Sequence, residues 1–140
     1  MTSTDRDALR SQLMLHEGLR LFPYVDSVGK ITVGVGRNLT DKGISDAEAR
    51  QFLDADINDA ILDCTSFPWF PDLDPVRQRA VVDLCFNMGL PRLQGFVKML
   101  AAIGRQDWNT AAHELLDSRY AQQVGKRAST LAHMLRTGEA

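Results

Sequence analysis

The segment SDAEARQFLDADINDAILDC, Ser45 to Cys64, constrains the fold of this 140-residue chain more than any other. Ser45 and Glu48 have the spacing of a capping box, in which each side chain serves the other's backbone amide. Ala49, Phe52, Leu53, Ile57, Ala60, Ile61 and Cys64 recur at helical spacing and predict one apolar stripe. A helix of this length rises about 30 Å, enough to join two lobes. The following TSFPWFPDLDP carries three prolines and must break it.

What flanks that helix differs on its two sides. Upstream, a first helix is expected from about Asp5 to Glu17, capped by Ser3 or Thr4 and closed by Gly18. LFPYVD and KITVGVG, separated by SVG, then read as an antiparallel hairpin turning at Gly29, with a third short strand at Asn38–Thr40. A hairpin alone is marginal in water, so it must pack on helices. Downstream, Asp74 caps a helix whose first turn holds Pro75. PVRQRAVVDLCFNM directs Val76, Ala80, Val81, Leu84 and Met88 inward, and Gly89 ends it. Further helices are expected at Phe96–Ile103, from Asp107 to about Ser118, and from Gly125 or Lys126 to Thr137. The pattern is a small hairpin lobe and a larger helical lobe.

Composition narrows the class. The chain is 44% hydrophobic and 24% charged, enough apolar material for a core without disulfides or metals. Cys64 and Cys85 sit inside apolar helical patterns and read as reduced core thiols. The net charge of −2 argues against a dedicated nucleic-acid binder. The N-terminal MTSTDRDALRSQ lacks a signal-peptide pattern, and no apolar run approaches the roughly 20 residues of a membrane span. A cytosolic product with no membrane anchor of its own is expected.

Several cheap chemical readings fail. HEGLR begins like a zincin motif, but no second histidine follows at the required spacing, and His16, His113 and His133 are scattered. No metal or cofactor is expected. GVG at Gly34–Gly36 lies in a hairpin pattern, not ahead of a helix. The acids remain. Glu17 falls at a helix end, where backbone carbonyls disfavour a carboxylate, and Leu15 and Leu19 are expected to desolvate it; both suit a general acid. Asp26, nine residues on, sits at a solvated hairpin turn and stays ionised. Two carboxyls in contrasting environments are the mark of acid/base chemistry. Thr32 reads first as a strand-forming residue, although the hairpin also allows its hydroxyl to stand opposite Asp26. Gly34 and Gly36 weaken a strand, which close approach of a ligand to the backbone would explain, as would a bulge.

EGLRLFPYVDSVGKITVGVGRNLT resembles the catalytic signature of the phage lysozymes, the endolysins related to T-even phage lysozyme in glycoside hydrolase family 24. The helix-ending Glu17, Asp26, Thr32 and the alternating glycines all match in spacing. RQRAVVDLCFNMG, GFVKML, SRY, KRA and LRTG resemble later segments of the family in the same order, so the likeness spans nearly the whole chain. It implies an α+β, mostly α, lysozyme-like fold in one domain, 1–140. The small lobe is expected at about 18–55 and the helical lobe at 1–17 and 56–140. It further implies Glu17 as general acid, Asp26 as base or charge stabiliser and Thr32 as water-orienting partner. Gly36, Arg37, Phe86, Asn87 and Arg127 are the implied substrate-binding residues, with Arg127 matching an arginine that approaches the catalytic glutamate. Arg37 stands where many relatives have a histidine; Asp41 and Asp63 are its candidate partners.

The implied activity is an endolysin or muramidase that hydrolyses the β-1,4 bond between N-acetylmuramic acid and N-acetylglucosamine in peptidoglycan, with inversion. A monomer is expected, acting on glycan strands without nucleic acid. It would be held in the host bacterial cytoplasm until a holin-type factor lets it reach the wall. Two alternatives belong to other classes: a non-catalytic peptidoglycan- or partner-binding domain on the same fold, and a lytic transglycosylase using Glu17 alone.

Overall fold

The computed structural model describes residues Met1–Ala140 and is mostly helical, with one small antiparallel sheet. The chain divides into two compact units, Met1–Gln51 and Phe52–Ala140. From sequence the boundary is expected near residue 55, with residues 1–17 among the helices; here the first helix falls in the first unit.

The first unit begins with α1, Ser3–Glu17. Its cap is Thr2, not Ser3 or Thr4: the Thr2 hydroxyl accepts from Asp5 N–H at 3.1 Å and the Asp5 carboxylate accepts from Thr2 N–H at 3.2 Å. β1 (Arg20–Val25), β2 (Ile31–Gly34) and β3 (Arg37–Asn38) follow in sheet order β1-β2-β3. In the β1–β2 ladder Tyr24 faces Thr32 and Val25 faces Ile31. The third strand is therefore Arg37–Asn38 and not Asn38–Thr40. Asn38 instead caps a short α2, Leu39–Lys42, by accepting from Asp41 N–H at 3.0 Å.

The helix α3, Asp46–Cys64, carries the unit boundary. Its capping box forms as expected, with Ser45 N–H donating to Glu48 and Glu48 N–H donating to Ser45, at 3.0 and 3.1 Å. Of the expected stripe only Ala60 and Cys64 are buried, while Phe52 and Leu53 are 54% and 45% exposed.

The second unit holds the hydrophobic core. A 3-10 turn at Phe70–Asp72 leads into α4, Pro75–Met88, capped by Asp74. Then come α5 (Leu90–Gln94), α6 (Val97–Gly104), α7 (Trp108–Leu116), α8 (Arg119–Val124) and α9 (Lys126–Thr137). α5 and α8 were not separable from sequence. Leu84, Leu93, Met99, Ile103, Leu115 and Leu135 are fully buried among them. Arg77 of α4 ties three helices together. Its guanidinium donates to Leu135 O (2.7 Å) and Arg136 O (3.1 Å) at the end of α9 and stacks 4.0 Å above the Trp108 ring. Cys64 and Cys85 are free and buried, and burial, then the neighbouring Cys85, pushes the Cys64 thiol up to about 12, so it stays protonated and unreactive.

Candidate active site

Glu17 is the last residue of α1. Gly18 follows with φ +75 and ψ 165, which turns the chain out of the helix toward β1. The expected apolar screen is missing: Leu15 and Leu19 are 82% and 55% exposed. What meets the Glu17 carboxyl is backbone. A Cβ on Gly36 would lie 2.8 Å from Glu17 Oε2 and 3.1 Å from Cδ, so a side chain there would push the Glu17 carboxyl from its place. Gly34 has φ +69 but nothing within 4 Å. The two alternating glycines thus have different causes: Gly34 satisfies a left-handed turn, while Gly36, with φ +68, also clears space for Glu17.

Asp26 begins the β1–β2 turn. Its carboxylate oxygen Oδ1 accepts from Val28 N–H at 3.0 Å and from Lys30 N–H at 2.8 Å, an Asx-type clamp that shapes the turn. Gly29, with φ +83, closes the turn through its N–H to Asp26 O at 3.1 Å. The residue opposite Asp26 is Lys30, whose carbonyl accepts from Asp26 N–H at 2.8 Å. Thr32 lies two rungs along, facing Tyr24, so its hydroxyl does not stand directly opposite Asp26. The two meet through one peptide instead: the Thr32 hydroxyl donates to the same Lys30 carbonyl at 3.1 Å. The Thr32 side chain is buried, 4% exposed. Lys30 gives no signal in the sequence, because its backbone carbonyl is what joins Asp26 and Thr32.

Arg37 is held by Glu48, at 2.7 Å from Oε2, and donates to Gly43 O at 3.3 Å. The expected partners were Asp41 and Asp63. Asp41 is taken by Lys30 and Asn38 at 3.2 and 2.9 Å. The Arg37 guanidinium, and next the Ser45 amide, hold the Glu48 carboxyl down to about 2.

In the second unit, Phe86 and Asn87 lie exposed in the last turn of α4. Arg127, in the first turn of α9, bonds Asp83 Oδ1 through both Nη2 (2.7 Å) and Nε (2.8 Å). Asp83, Phe86 and Arg127 share an open, largely apolar depression of about 700 Å³ with Leu53, Ile57 and Ile61. Asn87 is not part of its lining. Asp83 is not legible in the sequence, since a single acid inside an amphipathic helix gives no signal of its partner.

A mostly helical chain with a small three-stranded antiparallel sheet of this kind has the lysozyme-like α+β fold. A family model described as phage lysozyme matches residues 14–136, and the chain belongs to that family, glycoside hydrolase family 24. Among curated relatives it is similar to probable T4-type lysozyme 2 of Dictyostelium discoideum, 27% identical over 94% of this chain and 95% of the relative. Probable T4-type lysozyme 1 of the same organism is 22% identical over the same shares. The pre-baseplate central spike protein Gp5 of Enterobacteria phage T4 is 26% identical over 94% of this chain, which corresponds to 28% of that protein.

Proposed function

We propose that this protein is a muramidase that cleaves the β-1,4 bond between N-acetylmuramic acid and N-acetylglucosamine in peptidoglycan, with inversion, and serves host cell lysis. The observation that carries the reading is the hydrogen-bond state of Asp26 and Thr32 around the Lys30 peptide. Asp26 Oδ1 is occupied by two backbone amides, whereas no protein donor is bound to Oδ2. The Thr32 hydroxyl has spent its one proton on Lys30 O, so toward a third group it can only accept. A water shared by Asp26 Oδ2 and Thr32 Oγ1 must give a proton toward each. Its lone pair is then left to face the anomeric carbon. In the reaction the water oxygen bonds to that carbon as its proton passes to Asp26. The glycosidic C–O bond breaks, and protonated Glu17 supplies the proton taken by the leaving oxygen. A carboxyl pair working this way stands roughly 6.5–9.5 Å apart, leaving room for the water.

Gly36, Phe86, Asn87 and Arg127 are the proposed contacts to the glycan. No cofactor enters the scheme. The reading carries with it a monomer that waits in the host cytoplasm for a holin-type factor. The test is digestion of purified Gram-negative sacculi by the purified protein. New reducing N-acetylmuramic acid ends, first formed as the α anomer, are expected. Anhydro ends would identify a transglycosylase, and no release of soluble glycan would leave a binding domain.

A further inference from the structure

Glu17 lies against backbone at Gly36, and something must hold that backbone in place. The β2–β3 turn is weak by itself: it has two glycines at positive φ and leads to a strand of two residues. Its next residue, Arg37, reaches across to α3. The guanidinium forks, with Nη2 on Glu48 Oε2 at 2.7 Å and Nη1 on Gly43 O at 3.3 Å. Glu48 is in turn fixed, because its other oxygen closes the capping box with Ser45 N–H at 3.0 Å. A continuous line of contacts therefore runs from the start of α3 through Glu48, Arg37 and Gly36 to the Glu17 carboxyl.

We propose that Arg37 and Glu48 form a strut that sets the approach of the Gly36 backbone to Glu17, which makes them positioning residues for the acid rather than contacts to substrate. The proposal rests on the muramidase reading for its kinetic consequence, but not for its geometric one. The physical basis is directional. A guanidinium satisfies two acceptors in fixed, diverging directions, and a lysine ammonium cannot reproduce that fork. Without the strut the glycine turn relaxes and the donor oxygen loses its place. Misplacement of a reacting group by about 1 Å costs up to ~10²-fold in rate.

Arg37→Lys and Glu48→Gln are the informative variants. Glu48→Gln keeps an oxygen for the Ser45 amide and so preserves the helix cap while removing the ion pair. Two measurements decide. The first is the nuclear Overhauser contact between Gly36 Hα and the Glu17 side chain, which needs no activity. It is expected to weaken in both variants while the rest of the spectrum is retained. The second is kinetics on soluble glycan: kcat should fall about tenfold with KM within about twofold, and the double variant should be no worse than either single one. An unchanged Gly36–Glu17 contact in both variants overturns the strut. So does a loss confined to KM. If the parent protein cleaves no glycan, the muramidase reading fails, and the Overhauser contact alone then upholds or rejects the strut.

Discussion

At the scale of single residues, the chemistry rests on which atoms are free. Glu17→Gln keeps the size and polarity of the side chain but removes the transferable proton. Release of soluble glycan should fall by ~10²–10⁴-fold, with the melting temperature unmoved because Glu17 is exposed and makes no buried contact. A turbidity assay paired with thermal melting checks both halves. Asp26 and Thr32 make a sharper case, since the proposed reaction has both act on one water. Asp26→Asn and Thr32→Val should each lower kcat more than they change KM, and the double variant should lose little beyond the worse single one. Additive losses in the cycle would reduce Thr32 to a strand residue. The spacing of Glu17, Asp26 and Thr32 was legible in the sequence. The way Asp26 and Thr32 meet was not, because it depends on a shared carbonyl that belongs to Lys30 and would be offered by any residue there.

At the scale of elements, local signals were legible where a side chain serves its own helix. Ser45 with Glu48, and Asp74 with Pro75, act within a turn, and the structure has both. Thr2 with Asp5 is the same device, but Asp in place of the usual Glu or Gln makes its signal in the sequence weaker. Arg77 closing the end of α9, Arg37 reaching Glu48 and Arg127 reaching Asp83 span 58, 11 and 44 positions in sequence and were not legible. The Arg37–Glu48 pair carries a pH dependence. The Glu48 carboxyl is lowered from 4.5 to about 2 by Arg37 and then Ser45. A depressed carboxylate contributes stability above its unfolded value and loses it as pH falls toward the folded one. The parent should therefore outlast Glu48→Gln at neutral pH, and the difference should shrink between pH 4.5 and about 2. Amide exchange at Arg37 and Asn38 across that range is the measurement. A constant gap would mean that the ion pair does not hold β3.

At the scale of the whole molecule, stability and chemistry are divided along the chain. Every buried hydrophobic side chain lies between Ala60 and Leu135, whereas Met1–Gln51 buries only Thr32. The unit that carries Glu17, Asp26 and Thr32 is thus held by hydrogen bonds, caps and exposed ion pairs. Such contacts contribute about 0.5–1.5 kcal/mol each, and exposed pairs less. The other unit is held by apolar burial worth about 1.5–3 kcal/mol per large side chain. Segments with few buried contacts open locally, well below the free energy of global unfolding. Hydrogen exchange should accordingly show α4, α7 and α9 protected up to the global limit and β1–β3 exchanging through smaller openings. Leu84→Ala, which empties a fully buried site, should lower protection of α4, α7 and α9 by about 2–5 kcal/mol. The same substitution should leave exchange in β2 near its parental rate, because the strand's openings do not require the core to break. A glycan oligomer bound to the inactive Glu17→Gln protein should do the reverse, raising protection at Asp26–Thr32 more than in the core, since a ligand stabilises the conformations that bind it. Equal protection of sheet and core in the free protein would contradict this division and place the Asp26–Thr32 turn inside the global folding unit.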